Sequence, residues 1–319
     1  MTTLITGGAG FIGSRLALRL LEQSEPIVIL DNFDPFYDPA IKRENIAALG
    51  SNVVTIEGSI CDVDLVEAVF KQHSIRRVAH LAALANVRYS VERGRQYADV
   101  NVTGTVTLLD AARRYQIDSF VMGSTSSVYG QTARVPFVED DAAAFPLAPY
   151  PASKRSAELF GYSYHQLFGL NVSVMRFFNV YGPHGRPDMM PMKVIRSILA
   201  GETIQLFAEG QLQRDWTYID DIVSGLVLAL DKPMGYEVFN LGCGAPITLK
   251  AFIDIYEQLI GKPAVTVNVP QPRSDPTITY CDNSKVRRLL GFDPKVDIET
   301  GLTKTWEWYC SRYDVPSIR

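Results

Sequence analysis

The sequence predicts an α/β protein: a doubly wound parallel sheet with a smaller mixed α/β domain. Short apolar runs alternate with longer amphipathic runs through the first half of the chain. The apolar runs are nearly continuous in Val, Ile, Leu and Phe, as expected of strands that are covered on both faces. Strand–helix–strand repeats with right-handed crossovers build a parallel sheet, and ligands collect at the carboxyl ends of its strands.

The spacing of apolar residues predicts each strand and each helix of the first half. Short continuous apolar runs predict the strands Thr3–Thr6, Ile27–Asp31, Val53–Glu57, Arg77–Ala83, Ser119–Ser124 and Val172–Phe178. Apolar residues at helical spacing predict the helices Ile12–Gln23, Val63–Gln72, Val100–Tyr115 and Ser153–Phe168.

The regular alternation of strand and helix patterns ends after Phe178. Residues 179–191 are rich in Gly, Pro and charge, which is typical of an irregular functional loop. Helices are predicted beyond it at Met192–Ala200, Ile219–Leu230, Leu249–Ile260 and Gly301–Tyr309. We therefore expect one domain over residues 1–178, to which residues 216–240 return, and a second over residues 179–319.

Composition excludes several classes of protein. Of the 319 residues, 47% are hydrophobic and the net charge is −4, which argues against disorder and against nucleic acid as the main partner. No run of about 18 apolar residues predicts a membrane span. Met1 leads directly into the first strand, with no room for a signal peptide. The scattered cysteines Cys61, Cys243, Cys281 and Cys310 indicate neither a zinc site nor disulfides and favour a cytoplasmic protein.

A glycine motif follows the first strand and opens the first helix. Gly7, Gly10 and Gly13 permit a tight turn, close approach of backbone to a pyrophosphate, and packing of the helix on the sheet, as in a Rossmann-type dinucleotide site. Asp31 ends the second strand, where an acid accepts from a ribose 2′-OH. No Arg or Lys lies within residues 32–39, so NAD is favoured over NADP. The alternative interpretation of the glycine motif is a tight turn that binds no ligand.

A second motif places two side chains that can act in catalysis near the start of a predicted helix. Tyr150 and Lys154 are four residues apart and share a helix face, so their polar groups can enter one cleft. A phenol with a pKa near ~10 needs a nearby cation to act as a base at neutral pH, and Lys154 with a nicotinamide would supply it. A hydroxyl from residues 124–127 could bridge Tyr150 and a sugar oxygen. The alternatives are that Tyr150 is an ordinary core or surface residue, and that the hydroxyls of residues 124–127 bond only to the backbone of their own turn.

Together these motifs make the chain similar to the extended short-chain dehydrogenases/reductases, in their nucleotide-sugar epimerase branch. The resemblance covers essentially the whole chain and includes residues 99–105 and 214–221. It implies an NAD-binding first domain, a UDP-sugar-binding second domain, and a homodimer formed through the helices 100–115 and 153–168. It also implies the catalytic residues Thr125, Tyr150 and Lys154, with Tyr150 as the base.

The resemblance also implies two sets of binding residues. The set for the cofactor is Gly7, Gly10, Phe11, Ile12, Gly13, Asp31, Asn32, Ser59, Ile60, Leu81, Ala82, Ala83, Asn101, Ser124, Tyr150, Lys154 and Phe177. The set for the substrate is Arg88, Thr125, Ser126, Ser127, Asn179, Arg186, Arg214, Arg273 and Asp275, in which Arg214 would hold the diphosphate.

Residues beside Thr125 discriminate among the reactions of such proteins. Members that dehydrate or decarboxylate a sugar carry carboxylates where this chain has Ser126 and Ser127, so epimerisation remains. Residues 31–39, 87–90 and 185–189 resemble those of UDP-glucuronate 4-epimerases, in which Arg186 would pair with the sugar carboxylate. Asn179 stands where those epimerases usually have Thr.

Two other functions stay open. Asn179 favours a 4-epimerase of UDP-glucose, UDP-galactose or their N-acetyl forms. A non-catalytic NAD-sensing module on the same fold is the third hypothesis, although such proteins usually lose the Tyr or Lys that this chain keeps. No metal is expected, because the histidines are widely spaced and bound NAD carries the difficult chemistry. His80 is expected to be a satisfied core or cofactor-side imidazole.

Overall fold

The computed structural model describes residues 1–51, 53–130, 132, 134–271 and 276–316. The strands are β1 (Thr2–Thr6), β2 (Ile27–Asp31), β3 (Val54–Glu57), β4 (Ile75–His80), β5 (Ser119–Thr125), β6 (Val172–Phe177), β7 (Asn179–Tyr181), β8 (Thr203–Phe207), β9 (Gln213–Tyr218), β10 (Tyr236–Leu241), β11 (Pro246–Thr248), β12 (Val265–Val269) and β13 (Ile278–Thr279). The helices are α1 (Phe11–Glu22), α2 (Pro39–Ala47), α3 (Val63–His73), α4 (Val87–Ser90), α5 (Gly94–Ala98), α6 (Gly104–Arg114), α7 (Pro149–Phe168), α8 (Met190–Ala200), α9 (Ile219–Asp231), α10 (Leu249–Ile260), α11 (Ser284–Leu290) and α12 (Ile298–Tyr313).

Seven of the described strands form one parallel sheet. Its order is β10-β6-β5-β4-β1-β2-β3, and every neighbouring pair is parallel. The chain starts in the middle of the sheet and winds outward in both directions, so the predicted fold class is confirmed. The carboxyl ends of β1, β4, β5 and β6 meet at one edge, where ligands bind in such sheets.

Alternate residues of the strands enter two different cores. Ile5, Ile29 and Val121 join the cluster under α1 and α9, whereas Leu4 and Val28 join the cluster under α3, α6 and α7. Since side chains alternate across a strand, both faces of the sheet are buried. This burial explains the continuous apolar character of the strand sequences.

The second half of the chain both extends the sheet and builds a smaller lobe. Helix α9 packs against α1, and β10 pairs with β6 at the edge of the main sheet. In the lobe, β9 pairs in parallel with β7 and β13 and antiparallel with β11, and β8 pairs in parallel with β12. The lobe therefore lies beside the edge at which the strands of the main sheet end.

Several element boundaries differ from the predicted ones. Helix α7 begins at Pro149 rather than at Ser153, because a proline in the first turn loses no hydrogen bond. Strand β4 ends at His80 rather than at Ala83, because the following residues cross the glycine loop after β1. A π-helical turn, Asp99–Thr103, precedes α6.

Helix α2 and strand β7 are among the elements that were not predicted. Helix α2 has an Asp38 cap, which accepts from the Ala40 amide at 2.9 Å, and a proline in its first turn. That start signal was present in the sequence, but the helix is too polar to show a clear apolar face. The expected loop over residues 179–191 contains β7 and the first turn of α8.

Candidate active site

The glycine loop after β1 leaves no room for side chains. A Cβ at Gly7, whose φ is 71°, would lie 2.6 Å from the Ala82 amide nitrogen, and a Cβ at Gly13 would lie 2.3 Å from the Gly7 carbonyl oxygen. Gly10 precedes α1 and gives it no side-chain cap. The first amides of α1 can therefore meet a phosphate at the positive end of the helix dipole.

Asp31 lies beside this loop at the end of β2. Its carboxylate is buried and accepts from the Ala9 amide at 3.0 Å and the Phe33 amide at 2.8 Å. These bonds fix its orientation and leave further lone pairs for ribose hydroxyls. Asn32 is exposed, and its Oδ1 accepts from the Asp34 amide at 3.2 Å.

The expectation that no cation stands near Asp31 needs a correction. Lys42 of α2 is buried, donates to the Asp34 carbonyl at 3.0 Å, and lies over the Tyr37 ring at 4.9 Å. Burial lowers the pKa of Lys42, and the charge of Asp31 partly offsets this. Helix α2 brings this cation back toward β2, which inspection of residues 32–39 alone did not include.

Tyr150, Lys154 and Thr125 meet where β5 ends and α7 begins. Tyr150 is in the first turn of α7, where its amide donates to the Ser90 hydroxyl at 3.1 Å and its ring meets Tyr97 edge-on at 6.1 Å. The Thr125 side chain lies close enough to the Tyr150 phenol to lower its pKa by hydrogen bonding. Lys154 follows one turn later and is 3% exposed, and its ammonium has no hydrogen-bond partner among the described residues.

The electrostatics of Tyr150 differ from the predicted pattern. Burial raises the pKa of Tyr150, and the Thr125 hydrogen bond and the Arg186 charge offset part of this rise. Lys154, which we expected to lower it, is not among those groups. Burial lowers the pKa of Lys154 to about 8, although the Glu158 carboxylate opposes this. In the protein alone the phenol is therefore protonated at neutral pH.

Arg186 reaches the site from the segment after β7. Its Nε and Nη2 donate to the two carboxylate oxygens of Asp188, both at 2.9 Å, and Nη2 also approaches the Ala85 carbonyl at 3.4 Å. Nη1 makes no hydrogen bond to any residue that the structure describes. The charge of Arg186 lowers the pKa of Tyr150, so this guanidinium lies close enough to the phenol to act on it electrostatically.

The other predicted substrate residues lie around this centre. Ser126 and Ser127 form a 3₁₀ turn in which the Ser127 amide donates to Thr125 Oγ1 at 3.1 Å. Asn179 starts β7, opposite Trp216 of β9. Arg214 is in β9 and donates to the Gln213 carbonyl at 2.7 Å, and Arg88 of α4 lies 5.5 Å from the centre of the Phe207 ring. Arg273 and Asp275 lie outside the described residues.

Four of the predicted cofactor residues direct their side chains elsewhere. Asn101 is bonded to both backbone groups of Leu84 and to the Ser153 hydroxyl. Ser124 donates to Glu158 at 2.5 Å, Ser59 accepts from the Cys61 amide at 3.1 Å, and Ile60 packs in the core under Gly104. A cofactor contact of these residues would come from their backbone.

The remaining predicted cofactor residues cluster at the ends of β1, β4 and β6. Leu81 and Ala82 pass over the glycine loop, and Leu81 and Phe177 both pack against Gly123. Phe11 and Ile12 begin α1, and Ala83 lies in the segment between β4 and α4. His80 is buried below them, with its ring nitrogens 2.8 Å and 2.9 Å from the hydroxyls of Thr6 and Thr105. Burial lowers its pKa to about 3, so the imidazole is neutral, as expected of a satisfied core histidine.

Comparison with known proteins identifies the family. The family model described as GDP-mannose 4,6 dehydratase matches residues 4–305. The chain belongs to the extended short-chain dehydrogenases/reductases. Among these proteins, it is 42% identical over 309 residues to a UDP-glucuronate 4-epimerase of Thermodesulfobacterium geofontis, an alignment that covers 96% of this chain and 95% of that relative.

Solved structures of other members of the superfamily share the whole fold. The structure of UDP-glucuronic acid 4-epimerase from Bacillus cereus in complex with UDP-glucuronic acid and NAD is 34% identical, with a TM-score of 0.91 over 98% of this chain and 100% of that one. The UDP-glucose 4-epimerase of Thermotoga maritima with UDP-glucose is 32% identical, with a TM-score of 0.90 over 98% and 99% of the two chains. The predicted membership of the epimerase branch is confirmed.

Sequence reasoning missed three residues at this short-chain dehydrogenase/reductase site. Glu158 is fully buried one turn after Lys154, Asp188 holds Arg186, and Tyr97 packs against Tyr150. A carboxylate on the inner face of a helix was a signal that could have found Glu158. The roles of Asp188 and Tyr97 depend on contacts between elements that no local spacing reveals.

The described part of the chain shows no candidate metal site and no candidate membrane span. Within the described residues, no three side chains of His, Cys, Asp or Glu are grouped so that they could bind a metal ion. No helix in the described part of the chain combines the length and apolar character needed to cross a membrane.

The glycine loop gives a direct test of the dinucleotide site. We expect Gly13→Ala to displace the loop, because its Cβ would collide with backbone, and to cost about 1–3 kcal/mol of stability together with most of the NAD affinity. Thermal unfolding and calorimetric titration with NAD measure both effects. The matched control is Gly94→Ala, whose Cβ would meet only Pro149 at an ordinary 3.6 Å. Unchanged NAD affinity in Gly13→Ala would contradict the assignment.

Proposed function

We propose that this protein is an NAD-dependent UDP-glucuronate 4-epimerase, which interconverts UDP-glucuronate and UDP-galacturonate. The observation that carries the proposal is the position of Arg186, whose charge acts on the Tyr150 phenol and whose Nη1 is available to a ligand. In a uronic acid the C6 carboxylate lies one carbon beyond C5, next to the C4 hydroxyl. A base for that hydroxyl therefore needs a carboxylate-binding cation close by, and a guanidinium suits a carboxylate.

The binding residues follow the two lobes of the fold. We assign NAD to residues 1–178 together with 216–240, where the glycine loop, Asp31 and the buried Lys154 ammonium fit a dinucleotide. We assign the UDP-sugar to the part of residues 179–319 that faces this edge, with Arg214 on the diphosphate. NAD, when bound there, would supply the redox chemistry as the acceptor and donor of a hydride at C4 of the sugar.

The side chains of the protein then transfer the proton of the 4-hydroxyl and bind the sugar in its two orientations. Tyr150 Oη takes the proton of the 4-hydroxyl during oxidation and gives it back during reduction, and Thr125 holds the phenol by its hydrogen bond. Arg214 keeps the diphosphate anchored while the flat 4-keto sugar turns over. The oxidised uronate is a β-keto acid, so its carboxylate must be held to prevent loss of CO₂. Arg186, Ser126 and Ser127 are the groups that we assign to this task.

The test of the function is a comparison of substrates. Purified protein is incubated with UDP-glucuronate, UDP-glucose and UDP-N-acetylglucosamine, and the products are identified by NMR. We expect conversion of UDP-glucuronate with a kcat/KM at least about tenfold above the others, since a charged hydrogen-bonded pair is worth more than ~1.4 kcal/mol. Preferred conversion of a neutral UDP-hexose would favour the alternative that Asn179 suggests. No conversion of any sugar would favour a non-catalytic NAD-binding protein.

We also propose that two copies associate through α6 and α7. Leu159 and Leu167 of α7 are 51% and 72% exposed, and Phe160 and Phe168 are also exposed, which forms an apolar stripe on a surface helix. Tyr164, by contrast, is partly buried and donates to Asp110 at 2.8 Å within the chain. Its packing therefore serves the protomer.

Leu167→Glu is expected to convert the dimer to a monomer, because it places two charges in an apolar interface. Analytical ultracentrifugation measures the change. The control is Phe145→Glu, an equally exposed apolar residue away from α6 and α7. A wild-type chain that sediments as a monomer would contradict the proposal.

We propose a cytoplasmic location. The support is that Cys61, Cys243, Cys281 and Cys310 are all unpaired, as is usual in a reducing compartment. The net charge of −4 also gives no reason to propose a nucleic-acid partner.

A further inference from the structure

A buried ionic network lies directly behind the catalytic residues. Glu158 of α7 has no exposed surface and its carboxylate receives four hydrogen bonds. Ser124 donates at 2.5 Å, Arg155 at 2.9 Å, and Arg176 of β6 donates from two nitrogens at 3.0 Å and 2.7 Å. Such a fully bonded carboxylate is held in one orientation.

This carboxylate stands one helical turn beyond Lys154. The two residues are four positions apart on the inner face of α7, which makes them neighbours. The Lys154 ammonium is buried and has no hydrogen-bond partner among the described residues, so desolvation works against its charge. Glu158 is the group whose charge opposes that desolvation.

We propose that Glu158 is a positioning residue for the reaction: its buried carboxylate, oriented by Ser124 and Arg176, keeps the Lys154 ammonium charged beside Tyr150. The consequence for the enzyme rests on the proposed function, because Lys154 is useful to the phenol only as a cation. The network also explains why a strand as apolar as β6 carries an arginine at an interior position.

The other titratable groups on the elements that pack against α7 keep one protonation state across the pH range in which the enzyme would work. From β4, His80 has its pKa lowered to about 3 by burial and stays neutral. From α5, burial raises the pKa of Tyr97 to about 12. Burial also raises the pKa of Tyr129, in the turn after β5, and of Tyr236 in β10. Burial lowers the pKa of Arg176, but its hydrogen bonds to Glu158 raise it overall. A titration near pH 8 therefore belongs to Lys154.

The direct test is the titration of Lys154 itself. Protein labelled with ¹³C at lysine Cε is titrated by NMR, and the Lys154 signal is assigned by its loss in Lys154→Arg. We expect the midpoint in Glu158→Gln to fall by about one pH unit or more, since a neighbouring carboxylate shifts a cation by that amount. An unchanged midpoint in folded Glu158→Gln overturns the proposal. This readout needs no sugar, so it is independent of the substrate assignment.

The second readout is the pH profile of the holoenzyme. In Glu158→Gln the alkaline limb of kcat should move to lower pH together with the NMR midpoint, and Glu158→Asp should restore it in part. Tyr236→Phe is the matched control, because it removes only the hydrogen bond of 3.1 Å to the Glu158 carbonyl and leaves the carboxylate. A lower kcat without a shift of the limb would indicate a purely structural role and would also overturn the proposal.

If Glu158→Gln does not fold, because Arg176 is left buried and unpaired, Glu158→Gln with Arg176→Gln removes both charges. The comparison for that double variant is Arg176→Gln alone, so that the charge at position 176 is the same in both proteins, and the Lys154 midpoint should be lower in the double variant. Equal midpoints in these two proteins would again reject the role of Glu158.

Discussion

Tyr150→Phe is expected to lower kcat by about 10²–10⁴-fold while the affinities for NAD and UDP-glucuronate change little. The phenol is the proposed acceptor of the 4-hydroxyl proton, and its loss removes only the bond to Thr125. The ring would keep its buried position against Tyr97. Steady-state kinetics and calorimetry on the same preparations separate catalysis from binding.

Tyr97→Phe is the control for that experiment. Tyr97 touches the Tyr150 ring and donates to the Asn86 carbonyl at 3.1 Å, so its hydroxyl supports the site without reaching the proposed reacting atoms. It should keep most of the activity. A Tyr150→Phe protein that retained more than about a tenth of wild-type kcat would exclude the phenol as the base, given that general base catalysis supplies at least ~10²-fold.

The second large effect is expected for Arg186→Ala. Charge-assisted hydrogen bonds contribute about 1.5–3 kcal/mol, which corresponds to a rise in KM for UDP-glucuronate of about 10- to 150-fold. With the carboxylate no longer held, part of the 4-keto sugar should lose CO₂ and appear as a UDP-pentose. Chromatography of the products with mass detection measures this partition.

A neutral substrate provides the matched control for Arg186. UDP-glucose has no carboxylate, so its KM should be similar in the wild type and in Arg186→Ala, although its turnover should fall because the Arg186 charge no longer lowers the pKa of the phenol. Arg186→Lys keeps the charge but loses the fork that now engages Asp188, and should give an intermediate KM. Normal epimerisation of UDP-glucuronate by Arg186→Ala, without loss of affinity, would remove Arg186 from the site.

Much of the fold and the centre of the site could be predicted because their signals are local. The glycines at 7, 10 and 13 must adopt one turn between a strand and a helix, and Tyr150 and Lys154 share a face by helical spacing alone. Continuous apolar runs predicted strands that are buried on both faces. The structure explains this pattern, because a hydrophobic core lies on each face of the sheet.

What could not be predicted depends on the direction of side chains and on contacts between distant elements. Ser124 lies near the end of β5, which leads to the site, but its hydroxyl donates to Glu158. Ile60 points into the core, since the neighbouring Gly104 leaves space for it. Asp188 is two residues from Arg186, and only the path of the loop makes the pair bidentate.

The pKa of Tyr150 illustrates the same limit at the level of chemistry. Residue spacing correctly placed a cation one turn away, but it could not weigh that cation against burial. In the folded protein burial is the largest effect on Tyr150, and it also lowers the pKa of Lys154 to about 8. The positive nicotinamide ring of NAD⁺ would lower the pKa of the phenol, so with NAD bound we expect activity to rise as the phenol ionises and to fall as Lys154 loses its proton, giving a bell-shaped profile.

The central claim is that this chain inverts C4 of a UDP-uronate by oxidation and reduction at that carbon. The most direct measurement is NMR of the products after incubation of UDP-glucuronate deuterated at C4, alongside a reaction of unlabelled substrate in D₂O. The account predicts UDP-galacturonate that retains the deuterium at C4 and takes up none from D₂O at C5. Loss of the C4 label, or incorporation of solvent deuterium at C5, would contradict it.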